Sequence, residues 1–434
     1  MSTSEITQLL HQEREGVERE WAGPYPKPMG DDAYYGIAGR FVRLVQPHTE
    51  ADPSWMLLAF LAYAGNVFGR RAYIKRDGYH HPNLYVCGVG STSAGRKGTA
   101  LFLVEQFFKG IDDDWLKSIQ SGLSSGEGLI WCVRDPIYKR EANSHQEVLV
   151  DPGVSDKRLL IRQTEFFGAL QVMRRPGNTL SPTLRDAWDR GDLNTMVKNS
   201  PARATGAHIS IVANIPPEEL KRGLLAEDMD NGFANRFLWC WSMRSKFLPE
   251  GGGDMGRDFD DLRGQFNRIN TTSLEGEARL STEAQDVWGY NERPRLGVYS
   301  KLAERPPGVL GHVTARAPQQ VLRLALIFAL LDGVLEIRRE HLEAALEVWR
   351  FCDDSCCHLF GDLIGDPTAD TILKALRIRP AGVTRSEMNH GLFQRNKKAD
   401  EIERALHLLL ELRRARFETE DTGGKRLAQR WFAL

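Results

Sequence analysis

The chain has 434 residues, of which 41% are apolar and 26% charged, a composition typical of a globular protein of two or three domains. It contains no apolar run long enough to span a bilayer, and the amino-terminal residues, rich in Glu and Gln, lack the basic and apolar regions of a signal peptide. We therefore expect a cytoplasmic protein. The net charge of −1 excludes nucleic-acid binding by overall basicity and leaves only local patches for that purpose.

Four segments are predicted in chain order, and the central one is α/β. Residues 1–52 are mostly polar, with a Pro/Gly-rich stretch, and are predicted to form a helical arm. Residues 53–300 begin with an apolar helix and continue as alternating strands and helices, which is typical of an α/β core. Residues 301–365 have helical periodicity and are predicted to form an α-helical lid subdomain. Residues 366–434 form a separate small unit.

A phosphate-binding loop is predicted near residue 90. The apolar strand Leu84 to Cys87 is followed by a loop rich in Gly, Ser and Thr, and then by an apolar helix from Thr99 to Lys109. Phosphate oxygens require converging backbone N–H groups, the positive end of a helix and a mobile ammonium group, and this arrangement supplies all three. The residues predicted to bind a nucleoside triphosphate are Gly90, Gly95, Arg96, Lys97, Gly98 and Thr99.

The loop departs from the pattern G-x-x-x-x-G-K-[ST]. Gly90 and Gly95 have the expected separation, but Arg96 occupies the lysine position, so either Arg96 or Lys97 must contact phosphate. We prefer Lys97, with Thr99 supplying the magnesium-side hydroxyl that Gly98 lacks. The alternative is a glycine-rich turn that binds nothing.

Two polar side chains follow apolar strands downstream of the loop. Glu165 comes just after the run that ends at Ile161, where a nucleotide hydrolase needs a carboxylate to hold Mg²⁺ or to polarise water. Asn214 ends the strand that begins at Gly206 and could position water against a γ-phosphate. The alternative for Glu165 is a solvent-facing glutamate at the start of a helix.

Arginines are the next candidates. Arg236 precedes a third apolar strand, where it could reach the nucleotide of a neighbouring subunit as a charge-neutralising finger; a structural salt bridge is the alternative. Arg316 and Arg323 lie seven residues apart within the helical segment from Thr314 to Arg350, and therefore on one helix face. Either could close over phosphates.

The last segment has the pattern of a winged helix-turn-helix. Helices are predicted at Thr368 to Leu376, Arg385 to His390 and Ala399 to Arg414, followed by a β-ribbon from Phe417 to Phe432. A protein-contact role is the alternative to DNA binding. The residues expected at DNA are Arg395, Lys397, Lys398, Lys425 and Arg426.

The six cysteines are too sparse for a disulfide framework. Cys352, Cys356 and Cys357 stand beside His358, but no second pair of ligands occurs at zinc-like spacing, so we expect helix packing at this cluster.

Taken in order, these motifs resemble the AAA+ P-loop ATPases and, within them, the minichromosome-maintenance group of hexameric replicative helicases. The resemblance covers about residues 53–350. Glu165 and Phe166 stand where that group has Asp-Glu-Phe, and Asn214 lies in a segment similar to its sensor strand Ala-Ala-Asn-Pro. Arg236 is flanked as in its Ser-Arg-Phe finger motif, and Arg316 is the preferred second sensor.

The resemblance implies an ATP- and Mg²⁺-dependent motor that forms a ring, hexameric in that group, around single-stranded DNA. A hairpin between Gly191 and Arg203 would carry Lys198 or Arg203 into the central channel. Nearly the whole chain, winged helix included, also resembles a little-characterised family of phage- and plasmid-borne proteins found beside primase modules. That likeness implies replication of a mobile element, or a related defence role.

One departure bears on hydrolysis. Thr164 stands at the position of the magnesium-holding aspartate of the resembled group, and Asp186 or Asp189 could replace it. The alternatives to a helicase are therefore a nucleotide-gated DNA-binding scaffold, an initiator or a defence regulator with weak or no hydrolysis.

Overall fold

The computed structural model describes residues 25–91, 95–140, 147–196, 202–253, 255–271, 274–289, 297–306, 308–361, 365–412, 414–420 and 428–434. The first 24 residues of the predicted amino-terminal arm lie outside this range.

Helices and strands alternate through most of the chain. The α-helices are α1 (Gly36–Val45), α2 (Pro53–Phe68), α3 (Lys97–Phe108), α4 (Asp113–Leu116), α5 (Gly126–Trp131), α6 (Phe166–Met173), α7 (Leu180–Asp189), α8 (Pro217–Gly223), α9 (Ala226–Asp230), α10 (Gly256–Thr271), α11 (Thr282–Trp288), α12 (Val298–Ala303), α13 (Val309–Thr314), α14 (Ala317–Leu331), α15 (Arg339–Phe360), α16 (Pro367–Ile378), α17 (Arg385–Glu387) and α18 (Ala399–Glu411). The strands are β1 (Ala72–Lys75), β2 (Tyr79–His80), β3 (Tyr85–Val89), β4 (Ile119–Gln120), β5 (Ile137–Arg140), β6 (Glu147–Asp151), β7 (Arg158–Gln163), β8 (Leu193–Asn194), β9 (Arg203–Ala204), β10 (His208–Ile215), β11 (Phe237–Trp241), β12 (Gly276–Glu277), β13 (Arg279–Leu280), β14 (Glu336–Ile337), β15 (Val383–Thr384), β16 (Ala415–Glu420) and β17 (Ala428–Ala433).

Five parallel strands form the central sheet, in the order β11, β3, β10, β7, β4. Tyr85 of β3 is in register with Ile211 of β10 on one side and with Phe237 of β11 on the other. Every residue of β3, β10 and β11 is buried, because helices cover both faces of the sheet. The predicted α/β class is confirmed.

The connections leaving β3 and β10 run in opposite directions. From β3 the chain crosses to β4 at one edge of the sheet, whereas from β10 it crosses to β11 at the other edge. Right-handed connections that run in opposite directions cover opposite faces of the sheet, so the loops that leave these two adjacent strands separate and form a crevice at their carboxyl ends. Open α/β sheets bind ligands in such a crevice. The topology therefore provides a ligand site where β3 and β10 end.

Helix α2 runs through the core and is buried from Ser54 to Phe68. Asp52 caps its first turn by accepting a hydrogen bond of 2.8 Å from the backbone N–H of Ser54, and Pro53 takes the first helical position. Gly69, at a φ of 69°, follows its last residue. The helix predicted from Pro53 to Gly69 is thus present to within one residue.

The buried side-chain amide of Asn66 joins α2 to the sheet. Its Nδ2 donates to the carbonyl oxygens of Leu159 and His208, each at 3.2 Å, and its Oδ1 accepts from the Trp115 indole at 2.8 Å. Because these partners lie on β7, on β10 and on α4, the amide fixes the register of the helix against two strands.

Helices from distant parts of the chain share this core. The predicted helical segment from Thr314 to Arg350 forms α14 and the greater part of α15, and α14 packs on both α1 and α2. Helix α1, in the predicted arm, contributes Ile37, Phe41 and Val45 to the same apolar cluster. The described part of the arm is therefore integral to the core.

By their internal contacts, residues Pro24–Pro306 and Gly311–Leu359 form one compact unit, and Phe360–Leu434 belongs to a second. In the second unit, α16, α17, a π-helical turn (Met388–Leu392) and α18 accompany an antiparallel sheet in the order β15, β17, β16. The predicted ribbon is present as β16 and β17. Strand β15 was not predicted, because two residues carry no readable periodicity.

The cysteine cluster lies on α15, where Cys352 and Cys356 are buried. The His358 ring packs on Trp241 with its centroid 4.6 Å away, as in ordinary helix packing. No group of three or more potential metal ligands occurs among the described residues. In the same part of the chain, no helix combines the length and apolarity needed to cross a membrane.

Replacing Gly65 tests how closely α2 approaches its neighbours. A Cβ at Gly65 would lie 2.1 Å from the carbonyl oxygen of Pro82, so we expect Gly65→Ala to lower the free energy of unfolding by about 2–3 kcal/mol in urea denaturation. The matched control is Gly168→Ala on α6, where no atom lies within 4 Å of the new Cβ; it should be neutral or stabilising by up to about 1 kcal/mol. Equal midpoints for the two variants would contradict this packing.

Candidate functional site

A cleft of about 390 Å³ opens where β3, β7 and β10 end, a volume within the usual range of about 300–1,000 Å³ for small-molecule pockets. The lining residues are Ser91, Arg96, Lys97, Gly98 and Thr99 after β3, Thr164 and Glu165 after β7, and Asn214, Ile215, Pro216 and Glu219 at or after the end of β10. Residues from three separate parts of the sequence therefore meet in the crevice that the sheet topology provides.

Lys97 is the first residue of α3 and is only 9% exposed. Its Nζ donates hydrogen bonds to the carbonyl oxygens of Gly90 and of Ser91, the second at 3.1 Å. Burial lowers the pKa of Lys97 to about 8, although the Cys87 thiol and the carboxylates of Glu165 and Glu219 favour its charged form. The ammonium group is thus held beneath the loop and remains mostly protonated at neutral pH.

Arg96, the other candidate, has a different environment. Its Nε donates to Glu50 Oε2 at 2.7 Å, and its side chain is 43% exposed at the rim of the cleft. Its backbone is left-handed, with φ at 47°, which costs an L-residue roughly 1–2 kcal/mol. Of the two cations, Lys97 is the one held against the loop carbonyls.

The space around the glycines of the loop differs from one position to the next. A Cβ at Gly90 would lie 2.1 Å from the carbonyl oxygen of Ser242, and one at Gly95 would lie 3.0 Å from that of Ser91. At Gly98 no atom lies within 4 Å. Close backbone packing therefore explains Gly90 and Gly95, whereas residues 92–94 of the loop lie outside the described range.

The polar residues opposite the loop come from β7 and β10. Thr164 and Glu165 are exposed, and Glu165 precedes α6 without capping it through its side chain. Asn214 is 5% exposed, and its Oδ1 has no hydrogen-bond partner among the described residues. A buried amide oxygen without a partner is uncommon, and at a cleft it marks a place where a ligand or water can donate.

Three arginines converge on Trp188 and Asp189, at the end of α7. The guanidinium carbons of Arg236, Arg316 and Arg323 lie 5.9, 5.1 and 3.6 Å from the centroid of the Trp188 ring. The Asp189 carboxylate pairs with Arg236 at 2.5 Å and with Arg316 at 3.0 Å. We call these five residues the arginine cluster.

Within the arginine cluster the three cations have different roles. Arg236 is 6% exposed and forms an ion pair with Asp189. A structural salt bridge of this kind was the alternative to an arginine finger. Arg323 is 1% exposed and donates to Asn83 Oδ1 and to the carbonyl oxygens of Asn83 and Trp188, at 2.7, 2.9 and 2.8 Å. Burial lowers its pKa to about 9, partly offset by Asp189 and Tyr85. Arg323 is therefore a structural clamp, and Arg316 is the more accessible cation.

The arginine cluster and the cleft lie at opposite ends of the strands of the central sheet. Phe237 is in register with Tyr85 and Trp241 with Val89, so Arg236 stands at the amino ends of strands whose carboxyl ends hold the loop. Six residue steps at about 3.3 Å separate these levels, roughly 20 Å. Neither Arg236 nor Arg316, both bound to Asp189, lies near Lys97 of the same chain.

This arrangement corrects two expectations. Asp189 cannot replace the carboxylate missing at Thr164, because it belongs to the arginine cluster, and Asp186 is exposed on α7 away from the cleft lining. Glu219, which sequence analysis did not single out, does line the cleft. Its only sequence signal is its position, five residues after Asn214 and in the first turn of a helix.

The expected hairpin is present, because Leu193–Asn194 pairs antiparallel with Arg203–Ala204. Arg203 is exposed, and Lys198 lies outside the described residues. Asp135, in the segment between α5 and β5, anchors the hairpin: its N–H donates to the Arg203 carbonyl at 2.7 Å, and its carboxylate accepts from the Thr205 hydroxyl at 2.6 Å.

A second hairpin, β5–β6, starts next to Asp135 and carries exposed apolar side chains. Tyr138, Val148, Leu149 and Val150 are each about half exposed, at 49–56%. Both hairpins precede strands of the central sheet. They therefore lie at the amino ends of those strands, as the arginine cluster does.

Of the basic residues expected at DNA, Arg395, Lys397 and Lys398 lie in the segment just before α18. Arg395 and Lys398 are exposed, while Lys397 pairs with Glu401 at 3.0 Å; Lys425 and Arg426 lie outside the described residues. The exposed polar face of α18 itself carries more acidic than basic groups, namely Asp400, Glu403, Arg404, His407 and Glu411. Of these two elements, the loop before the helix is therefore the positively charged one.

No model of a known protein family matches the sequence, and no curated protein is significantly similar to it.

Arg323 offers a test of the arginine cluster. Arg323→Met removes a buried cation and leaves three acceptors unpaired, so we expect the free energy of unfolding to fall by about 3–5 kcal/mol. Arg316→Met, with a side chain that is 28% exposed and a partner carboxylate still paired with Arg236, should cost about 1 kcal/mol or less. Chemical denaturation measures both, and similar losses would contradict the distinction.

Proposed function

We propose that this protein is an AAA+-type P-loop ATPase that works as a DNA motor. The observation that carries the proposal is the meeting of Lys97, Glu165 and Asn214 in one cleft at the switch point of a parallel sheet. These residues lie far apart in sequence, and each is of the type that phosphoryl transfer requires at its position.

The chain's own residues fit a nucleotide with magnesium. The Lys97 ammonium would leave the loop carbonyls and neutralise β- and γ-phosphate oxygens, while the Asn214 amide, which has an unpartnered Oδ1, would orient a water molecule. Thr99 and Glu165 would face the metal and that water. Magnesium held by these residues would supply positive charge that offsets the charge of the phosphates.

A ring of subunits fits the position of the arginine cluster. Arg236 and Arg316 lie roughly 20 Å from the level of the loop in their own chain, so a nucleotide that they contact must belong to another copy. Two guanidinium groups share the Asp189 carboxylate, and Arg323 lies on the same Trp188 ring, so excess positive charge remains there that favours an incoming phosphate. A head-to-tail contact of this kind forms a ring when its rotation closes, and we propose a homo-hexamer.

DNA is the proposed substrate of this motor. The β8–β9 hairpin, with exposed Arg203, would track single-stranded DNA in the channel. The second unit would act as a winged helix that meets duplex DNA through Arg395 and Lys398, with its acidic α18 held off the phosphates. Replication of a mobile element, with a primase as possible partner, fits these parts.

A nucleotide-gated DNA-binding scaffold is the second candidate. Two observations favour it: Thr164 stands where the resembled helicases carry a carboxylate, and Arg236 is engaged within its own chain. Such a protein would bind ATP without DNA-stimulated turnover.

Steady-state ATP hydrolysis at pH 7, with and without single-stranded DNA, tests the proposal. We expect DNA-stimulated turnover that falls by at least about 100-fold in Lys97→Ala, because the buried ammonium neutralises phosphate charge. Lys109→Ala, at the exposed end of the same helix, should match the unsubstituted protein. ATP binding without turnover would favour the scaffold.

Mixing two inactive variants tests the shared site. Arg236→Ala should bind ATP but not hydrolyse it. A 1:1 mixture with Lys97→Ala should regain about a quarter of the turnover, since random assortment gives some interfaces an intact Lys97 and an intact Arg236. No recovery in mixed rings verified by mass spectrometry would refute the assignment of Arg236; Arg236→Lys, which keeps the charge beside Asp189, controls for folding.

A further inference from the structure

Glu219 brings a second carboxylate into the cleft. Helix α8 starts directly after β10, with Pro216 as its cap and Pro217 at the first helical position. Glu218 and Glu219 are both in its first turn, but Glu218 is exposed, whereas Glu219 is half-buried and lines the cleft. The two neighbours therefore face different surroundings.

The Glu219 carboxylate has no ion-pair partner among the described residues, and neither has that of Glu165. Both lie close enough to Lys97 to favour its protonated form. Arg96, the other cation of the cleft lining, is paired with Glu50 at the rim, so the two unpaired carboxylates favour a cation as an additional ligand.

The segment after β7, on the other side of the cleft, offers one carboxylate where the resembled helicases have two. Thr164, at the end of β7, has only a hydroxyl to offer, so Glu165 is the sole acidic residue there. Mg²⁺ in nucleotide sites is held by one or two carboxylates together with phosphate oxygens and water. The second carboxylate must then come from another element if there is one.

A separate observation points to a ligand at the same place. Asn214, which ends β10 five residues before Glu219, is 5% exposed, and its Oδ1 has no partner among the described residues. Because both residues line the cleft, a hydrated cation between them would satisfy the amide oxygen through its water and the carboxylate through its charge.

We propose that Glu219 supplies the second carboxylate for magnesium in this cleft, in place of the one missing at Thr164. Glu165 keeps the role proposed above at the metal and the attacking water, and Glu219 holds the metal directly or through a coordinated water. This inference rests on the proposed ATPase function and assigns a metal-positioning residue to it.

The test measures ATP binding by calorimetry at pH 7 over a series of free Mg²⁺ concentrations, and Mn²⁺ binding to the ADP complex by electron paramagnetic resonance. Glu219→Gln should raise the half-saturating concentration of either metal about tenfold, while ATP binding in EDTA stays equal or tightens. Glu218→Gln, the adjacent exposed control, should change neither. Thr164→Asp should restore metal affinity in Glu219→Gln and increase it in the unsubstituted background.

The outcomes separate this inference from the ATPase proposal. Unchanged metal dependence in Glu219→Gln, with ATP binding still lost in Lys97→Ala, would overturn the role of Glu219 and leave the ATPase standing. Absence of ATP binding by the unsubstituted protein would overturn both. If Glu219→Gln failed to fold, as judged by thermal melting, Glu219→Asp would decide. That variant keeps the charge but shortens the side chain by one methylene group, so we expect weaker metal binding, and unchanged metal affinity would overturn the role of Glu219.

Discussion

The common direction of the five central strands is the constraint on which the rest of the structure depends. In a parallel sheet every loop that follows a strand emerges at the carboxyl ends of the strands, and every segment that precedes a strand enters at the amino ends. Lys97 and Glu165 follow strands and Asn214 is the next-to-last residue of β10, so all three lie at the carboxyl ends of the strands. Arg236 precedes a strand and is held at the opposite end. The sheet therefore separates the polar residues that line the cleft from the arginine cluster.

Buried polar side chains hold the elements at the two ends of the strands in position. Asn66 fixes α2 against β7 and β10, and Arg323 clamps the start of β3 to the end of α7. Both side chains satisfy several backbone acceptors in an environment of low dielectric, where hydrogen bonds are strong and unpaired groups are costly. The elements that carry the cleft and those that carry the arginine cluster are thus joined through buried, hydrogen-bonded side chains.

Much of this arrangement was accessible from sequence, for local reasons. Apolar runs of strand length that end in Cys87, Ile161 and Asn214 were readable because strands buried on both faces are continuously apolar. The helix from Pro53 was readable because it is a long apolar segment. Very short strands such as β15 were not, and neither was Glu219, because a single glutamate in the first turn of a helix is common and becomes informative only when its neighbours in space are known.

The sequence by itself determined the α/β class, the glycine-rich loop and the order of strand-end polar residues, since these depend on spacing and periodicity along the chain. Only the tertiary structure decided which of two adjacent cations is buried, that Asp189 neutralises arginines and does not serve the cleft, and that Glu219 faces Lys97. Those outcomes depend on contacts between residues far apart in sequence. Burial, charge pairing and the direction of each strand set them, and none of these is a property of a local pattern.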